Sequence, residues 1–212
     1  QSYFKKSNRM YFMATLGSKG ERILQKKVGS EKKASAFYDK QMLSYLNPYM
    51  RKFILKQEMV FIATSDSEGK CDCSFRAGKQ GFLRVLNKKT LLLPEYRGNG
   101  VMASMGNILK NPNIGMTFID FFENTIGLHV NGKAKIIEND ELLAGKTQAV
   151  FANDVWEEGI VPERWISITV EEAYIHCSKH IPHLKKLDKK IHWGTDKGTH
   201  KGGDFFKAET CE

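Results

Sequence analysis

No apolar run in this chain approaches the roughly 20 residues that a membrane-spanning helix needs. The longest, Met59 to Ala63 and Leu91 to Leu93, are strand-sized. The opening residues, Gln1 to Lys6, carry no long apolar stretch of the signal-peptide kind. Proline is scarce, at five residues, and glycine recurs with no period, which excludes collagen-like and low-complexity chains. Cysteine is scarcer still, with four: Cys71, Cys73, Cys177 and Cys211. Cys71-Asp72-Cys73 has no second pair at zinc spacing, and four thiols in a chain of this length make no disulfide scaffold. They read as reduced, partly buried thiols of a cytosolic protein, so a cytoplasmic location and no membrane partner are expected.

Catalytic signatures are missing as well. There is no G-x-S-x-G, no H-E-x-x-H, no G-x-G-x-x-G after a strand and no Walker lysine. No carboxylate pair stands out for acid–base work, and no catalytic side chain can be named. His176, His180 and His183 fall at helical spacing, but Pro182 interrupts them, so no metal site is expected. His129 lies in an alternating segment and reads as a structural histidine. An enzyme built from such a chain needs a cofactor for its hard chemistry.

What is present describes one globular domain with appendages. The chain has 212 residues, 41% of them apolar and 11% aromatic, enough for a core and too many for intrinsic disorder. Its net charge of +9 is uneven. Residues 1–56 hold 13 Lys/Arg against 3 Asp/Glu, residues 57–178 hold 12 against 16, and residues 179–212 hold 8 against 5. The basicity sits in the flanks of a mildly acidic body. A nucleic-acid binder concentrates its cations on one folded face, so no nucleic-acid partner is expected.

Periodicity divides the chain into a helical extension (1–56), a β-rich body (57–180) and a polar, glycine-rich tail (181–212). In the extension, Lys33 to Tyr49 predicts a helix that Pro48 ends. In the body, strands are predicted over 58–64, 70–75, 82–86, 90–93, 114–120, 126–137 and 165–175. A loop from Pro94 to Gly100 leads into a helix over about 101–109, and Asn111-Pro112 stops it. A second short helix is predicted over 141–151. Hairpin turns join most strands, so the fold class is mainly β with helices (α+β): an antiparallel sheet curling into a barrel, with one helix inserted. The tail is either disordered or pinned by Trp193, Phe205 and Phe206, and pinned in that way it could cover the site.

The segment from Ser74 to Asn111 concentrates the chemistry. Arg76, Gly78, Gly81 and Arg84 stand between and on strands, and Arg97-Gly98-Asn99-Gly100 precedes a helix carrying Ser104 and Asn107. Arginine binds phosphate oxygens bidentately, glycine admits close backbone approach, and a helix start offers unpaired N–H groups. Together they form a candidate phosphate site.

These residues, with Met59 to Asp66, Ser74 to Gly78, Gly81 to Leu86, Leu93 to Asn99, Gly106-Asn107-Ile108, Phe118 to Phe121, Leu128 to Ala134 and Glu172 to Cys177, resemble the pyridoxamine 5′-phosphate oxidase-like superfamily in consistent order. The resemblance implies a split β-barrel that binds FMN at a homodimer interface. It assigns flavin contacts to Arg76, Arg84, Asn99 and Ser104, with Asn107 nearby, to the main chain of Leu92 and Leu93, and to Asn131. It implies an FMN-dependent oxidoreductase acting on a small organic substrate, with NADH or NADPH as donor. No arginine follows Arg164, and the inserted helix begins Val101-Met102-Ala103-Ser104. Both depart from the pattern of vitamin B6 oxidation, so another reaction is expected. The alternative is a non-catalytic carrier or sensor of flavin or haem, with His129, His176 or a tail histidine as haem ligand.

Overall fold

Three helices precede the sheet. Ser18 caps the first, α1 (Lys19–Val28), in a reciprocal box: its hydroxyl accepts from the Glu21 N–H and the Glu21 carboxylate accepts from the Ser18 N–H, both at 3.1 Å. Gly29, at φ +70°, closes the helix in the left-handed conformation that glycine adopts without strain. The computed structural model describes residues 16–143, 161–192, 195, 197–200 and 203–208. Helix α2 (Glu31–Gln41) is tied to α1 through Tyr38, which donates to Glu21 at 2.7 Å and accepts from Gln25 at 2.8 Å.

The helix expected over 33–49 ends at Gln41. Leu43 then runs extended and exchanges two backbone hydrogen bonds with Ala173. Pro48 begins a helix here rather than ending one. Asn47 accepts from the Met50 N–H at 2.9 Å, and Pro48 takes the first position of α3 (Pro48–Leu55), where its missing N–H costs nothing. Leu46 and Ile54 are fully buried and join the main core, which fastens the helical arm to the body.

Seven strands form one sheet: β1 (Met59–Ser65), β2 (Cys71–Ala77), β3 (Arg84–Asn87), β4 (Thr90–Glu95), β5 (Asn113–Asp120), β6 (Ile126–Glu138) and β7 (Arg164–His176). Every pairing is antiparallel, in the order β2-β1-β5-β6-β7-β4-β3. The sheet curls into a split β-barrel. Val60, Ile62, Leu91, Leu93, Met116 and Ile168 fill its interior, each contributing roughly 1.5–3 kcal/mol by burial. Helix α4 (Ala103–Lys110) sits between β4 and β5 and sends Met105 and Ile108 into the same core. Among the described residues no helix is long and apolar enough to cross a membrane.

Several expectations change. Pro94 and Glu95, read as loop, extend β4 opposite Trp165 and Arg164. Pro94 lies past the last β3 pair, Arg84 with Leu92, so its absent N–H removes no ladder bond on that side. The inserted helix starts at Ala103 because Met102 takes a left-handed conformation, φ 53°. The helix expected over 141–151 appears as α5 (Asn139–Leu143), and the rest of that range lies outside the described residues. Cys71, Cys73 and Cys177 are exposed rather than partly buried, because strand alternation turns the first two outward, and Cys211 lies outside the described residues. Phe205 and Phe206 are exposed and meet each other edge-on, so they do not pin the tail to the body; Trp193 lies outside the described residues.

The β5–β6 turn hangs on one carboxylate. Asp120 accepts from the backbone N–H of Phe122, Glu123 and Asn124 and from the Asn124 side chain. These bonds outweigh burial and hold its pKa down to about 2. A depressed carboxylate stabilises the fold above its unfolded pKa and loses that contribution as pH falls toward about 2. Asp120→Ala is expected to cost about 1–2 kcal/mol in urea unfolding at pH 7, with the deficit shrinking below pH 4. A deficit independent of pH would contradict this account.

Candidate functional site

Alternation along β2 turns Cys71, Cys73 and Phe75 to the exposed side and Asp72, Ser74 and Arg76 to the other. The second set lines a cavity of about 470 Å³. The opposite wall comes from the end of β4 and the loop into α4, through Glu95, Arg97, Asn99 and Ser104. The β4–β7 register then adds Arg164, placed directly across from Glu95, with Glu163 beside it. Residues from opposite halves of the sequence therefore meet in one cavity.

Its inner wall is polar and closed. The Arg76 guanidinium donates to Glu95 Oε1 at 3.2 Å, bridging β2 and β4 across the split of the barrel. Arg76 Nε and Glu95 Oε2 are both buried with no hydrogen-bond partner. Burial pushes the Glu95 carboxyl above its usual range, and the charge of Arg76 pulls it partly back. Next to this pair, Asp72 Oδ2 accepts from Ser104 Oγ at 2.7 Å and Ser74 Oγ at 3.0 Å. Ser104 is only 2% exposed, in the first turn of α4.

The mouth is more open. The Arg97 side chain is 58% exposed and donates to Glu163 at 2.9 Å. Arg164 pairs with Glu138 at 3.4 Å and approaches Met102 Sδ. Asn99 is exposed, and its side-chain oxygen accepts from the Val101 N–H at 3.0 Å, shaping the turn into α4.

Of the residues singled out from the sequence, Arg76, Ser104 and the Arg97-Gly98-Asn99-Gly100 loop come together in this cavity. The others lie elsewhere. Arg84 is half-buried on β3, opposite Leu92. Leu92 packs with Leu142 and Trp165 in a smaller cluster, and Leu93 belongs to the main core. Asn107 donates to Thr64 at 3.1 Å and ties α4 to β1. Asn131 donates to Glu172 at 3.2 Å and lines a separate shallow depression with Gly115 and Gly132.

Asp72, Glu95, Glu163 and Arg164 were not among the site residues expected from the sequence. The alternation that sets Cys71 and Cys73 on one face of β2 sets Asp72 with Arg76 on the other, so that signal was available. Glu163 and Arg164 enter through a long-range register that local pattern does not carry.

The histidines stand apart from the cavity. His129 contacts Thr117 Oγ1 through Nδ1 at 3.2 Å and His176 Nδ1 through Nε2 at 2.8 Å, and stacks on Tyr174. Burial, then the charge of His176, lowers its pKa. His183 contacts the Phe122 carbonyl. Among the described residues no group of three or more His, Cys, Asp or Glu side chains could hold a metal ion.

FMN can be tested against these walls. Three arginines, Asn99 and a helix start converge on a cavity of suitable size for a flavin, and a buried Arg76 N–H and Glu95 oxygen offer an unmatched donor and acceptor. The set fits a flavin nucleotide, and the Asp72 carboxylate lies beside it at the start of α4.

A family model for pyridoxamine 5′-phosphate oxidase matches residues 46–177. The chain belongs to that family. Among solved structures it is similar to HupZ of Group A Streptococcus, at 20% identity and TM-score 0.46, covering 66% of this chain and 98% of that one. It is also similar to an FMN-binding protein of Syntrophomonas wolfei, at 10% identity and TM-score 0.46, covering 72% and 96% of the two chains. A third, HutZ of Vibrio cholerae, described as a haem storage protein, has 17% identity and TM-score 0.42, with 61% and 94% covered. No curated protein matches the chain.

Proposed function

We propose that this protein binds FMN in the cavity between β2, the β4–α4 loop and the start of β7, and acts as an FMN-dependent oxidoreductase on a small organic substrate. The observation that carries the reading is the convergence of Arg76, Arg97, Asn99, Ser104 and Arg164 on one cavity in a member of this family. Bound there, the flavin supplies hydride or electron transfer. Arg97, Arg164 and the N–H groups at the start of α4 would hold the phosphate. Glu95 would accept from an N–H or O–H of the ligand, and the buried Arg76–Glu95 pair closes the inner wall to water. NADH or NADPH is the proposed donor. The protein would work as a homodimer, with a second copy completing the open side of the cavity.

The test is an absorbance spectrum of purified protein before and after equimolar FMN and desalting. Retained bands at about 370 and 450 nm, bleached anaerobically by NADH or NADPH, are the expected result. A flat visible spectrum after desalting would overturn the flavin reading. Retained flavin that neither nicotinamide reduces would leave a carrier or sensor.

A further inference from the structure

Asp72 sits against the start of α4, one of the groups that would hold the phosphate in the flavin reading. Its Oδ2 takes the hydroxyls of both Ser104 and Ser74, at 2.7 and 3.0 Å, at the start of α4. The same wall holds Glu95, which is only 9% exposed; its Oε1 meets Arg76 while its Oε2 has no hydrogen-bond partner. The inner wall thus sets two carboxylates against one arginine, and its unmatched buried oxygen calls for a donor. A phosphate brings only acceptors, with about 1.5 to 2 negative charges at neutral pH. It gains Ser104 and the helix start only by pushing Asp72 aside. Arg97 and Arg164, the cations that would hold the phosphate, offset this repulsion only in part, since each already has a carboxylate partner, Glu163 and Glu138.

We propose that Asp72 is an internal anion that competes with the phosphate of a bound flavin, and so sets how strongly this cavity prefers FMN to riboflavin. The inference rests on the flavin reading above. Asp72 is a specificity determinant: it leaves the ring and the ribityl chain untouched and acts only on the phosphate. Asp72→Asn keeps the shape of the side chain and an oxygen for the serine hydroxyls, and removes the charge.

The experiment is a fluorescence titration of full-length apoprotein with FMN and with riboflavin, for wild type and Asp72→Asn. Removing the repulsion is expected to tighten FMN by about tenfold or more, with riboflavin unchanged within about twofold. A ratio of the two affinities that moves by less than about threefold overturns the role of Asp72 while leaving flavin binding intact. If neither protein binds either flavin, the flavin reading falls and this inference with it. Circular dichroism and a thermal melt establish that the variant is folded, and Asp72→Ser gives the same readout if the asparagine variant is not.

Discussion

Replacing Gly132 by alanine is expected to destabilise this protein by more than about 3 kcal/mol, a large share of the 5–15 kcal/mol that typically separates a folded domain from its unfolded chain. Between Asn131 and Gly132 the β6–β7 register shifts: Asn131 faces Glu172 and Gly132 faces Val170, leaving Glu171 as the extra residue of a bulge. The bulge brings the Thr169 carbonyl against Gly132. A Cβ there would sit 2.1 Å from that oxygen and 3.0 Å from its carbon, and both are backbone atoms in the middle of a paired strand. No side-chain rotation relieves the clash, so β6 and β7 must part. Gly106→Ala is the control. Gly106 lies within α4, and a Cβ added there would meet nothing within 4 Å, so alanine should gain about 0.5–1 kcal/mol by lowering backbone entropy in the unfolded chain. Urea unfolding of the two variants against wild type decides the matter, and a Gly132→Ala protein melting within a few degrees of wild type would contradict the account.

Arg76→Met is expected to lose about 3 kcal/mol at pH 8, somewhat less than a fully buried pair because the Arg76 side chain is 23% exposed and that of Glu95 11%. The methionine replaces the stem but leaves the Glu95 carboxylate in the inner wall without its cation. Glu95 already has a raised pKa in the presence of Arg76, and the arginine is what holds it back. A carboxyl with a raised folded pKa keeps its proton longer in the folded than in the unfolded state. Its favourable contribution is complete below the unfolded value and is lost as pH rises through the folded one. The penalty of Arg76→Met should therefore be small near pH 4 and grow toward pH 8. Adding Glu95→Gln should return most of the loss at pH 8 and flatten the profile. A penalty that is the same at both ends of the range would mean that packing, not charge, accounts for the pair.

Most of the sheet was legible because its strands alternate cleanly. In β1, Val60, Ile62 and Thr64 point inward between outward neighbours, and the strand was placed within one residue at each end. Between the strands expected at 58–64 and 70–75 lies a hairpin turn, where the Asp66 carboxylate accepts from the N–H groups of Glu68 and Lys70. Pro48 and Pro94 were misplaced for one reason. A proline is a stop signal only where its N–H would have been used, and neither site uses one. The candidate site was legible where it depended on short-range geometry: Arg76 from β2, and Asn99 and Ser104 from the loop and first turn of α4. It was not legible where it depended on register. Arg164 and Glu163 arrive through pairing of β4 with a strand much later in the chain, and Glu95, which balances Arg76, lies on β4, whose facing toward β2 is fixed only once the barrel curls.

The position of β7 between β6 and β4 constrains how the chain can be made. It is the last strand in sequence among the described residues, yet both halves of the barrel pair through it. While the polypeptide emerges from the ribosome, β1, β2, β5 and β6 can assemble in order. The β3–β4 hairpin meanwhile waits with an open edge for residues 164–176. Closing that loop is a long-range step of the kind that slows folding. The cavity inherits the same schedule, because Arg164 begins the very strand that closes the barrel. A nascent chain therefore lacks the complete cavity until its architecture is nearly finished, so a ligand that fills it would meet a late checkpoint of synthesis rather than a seed for it.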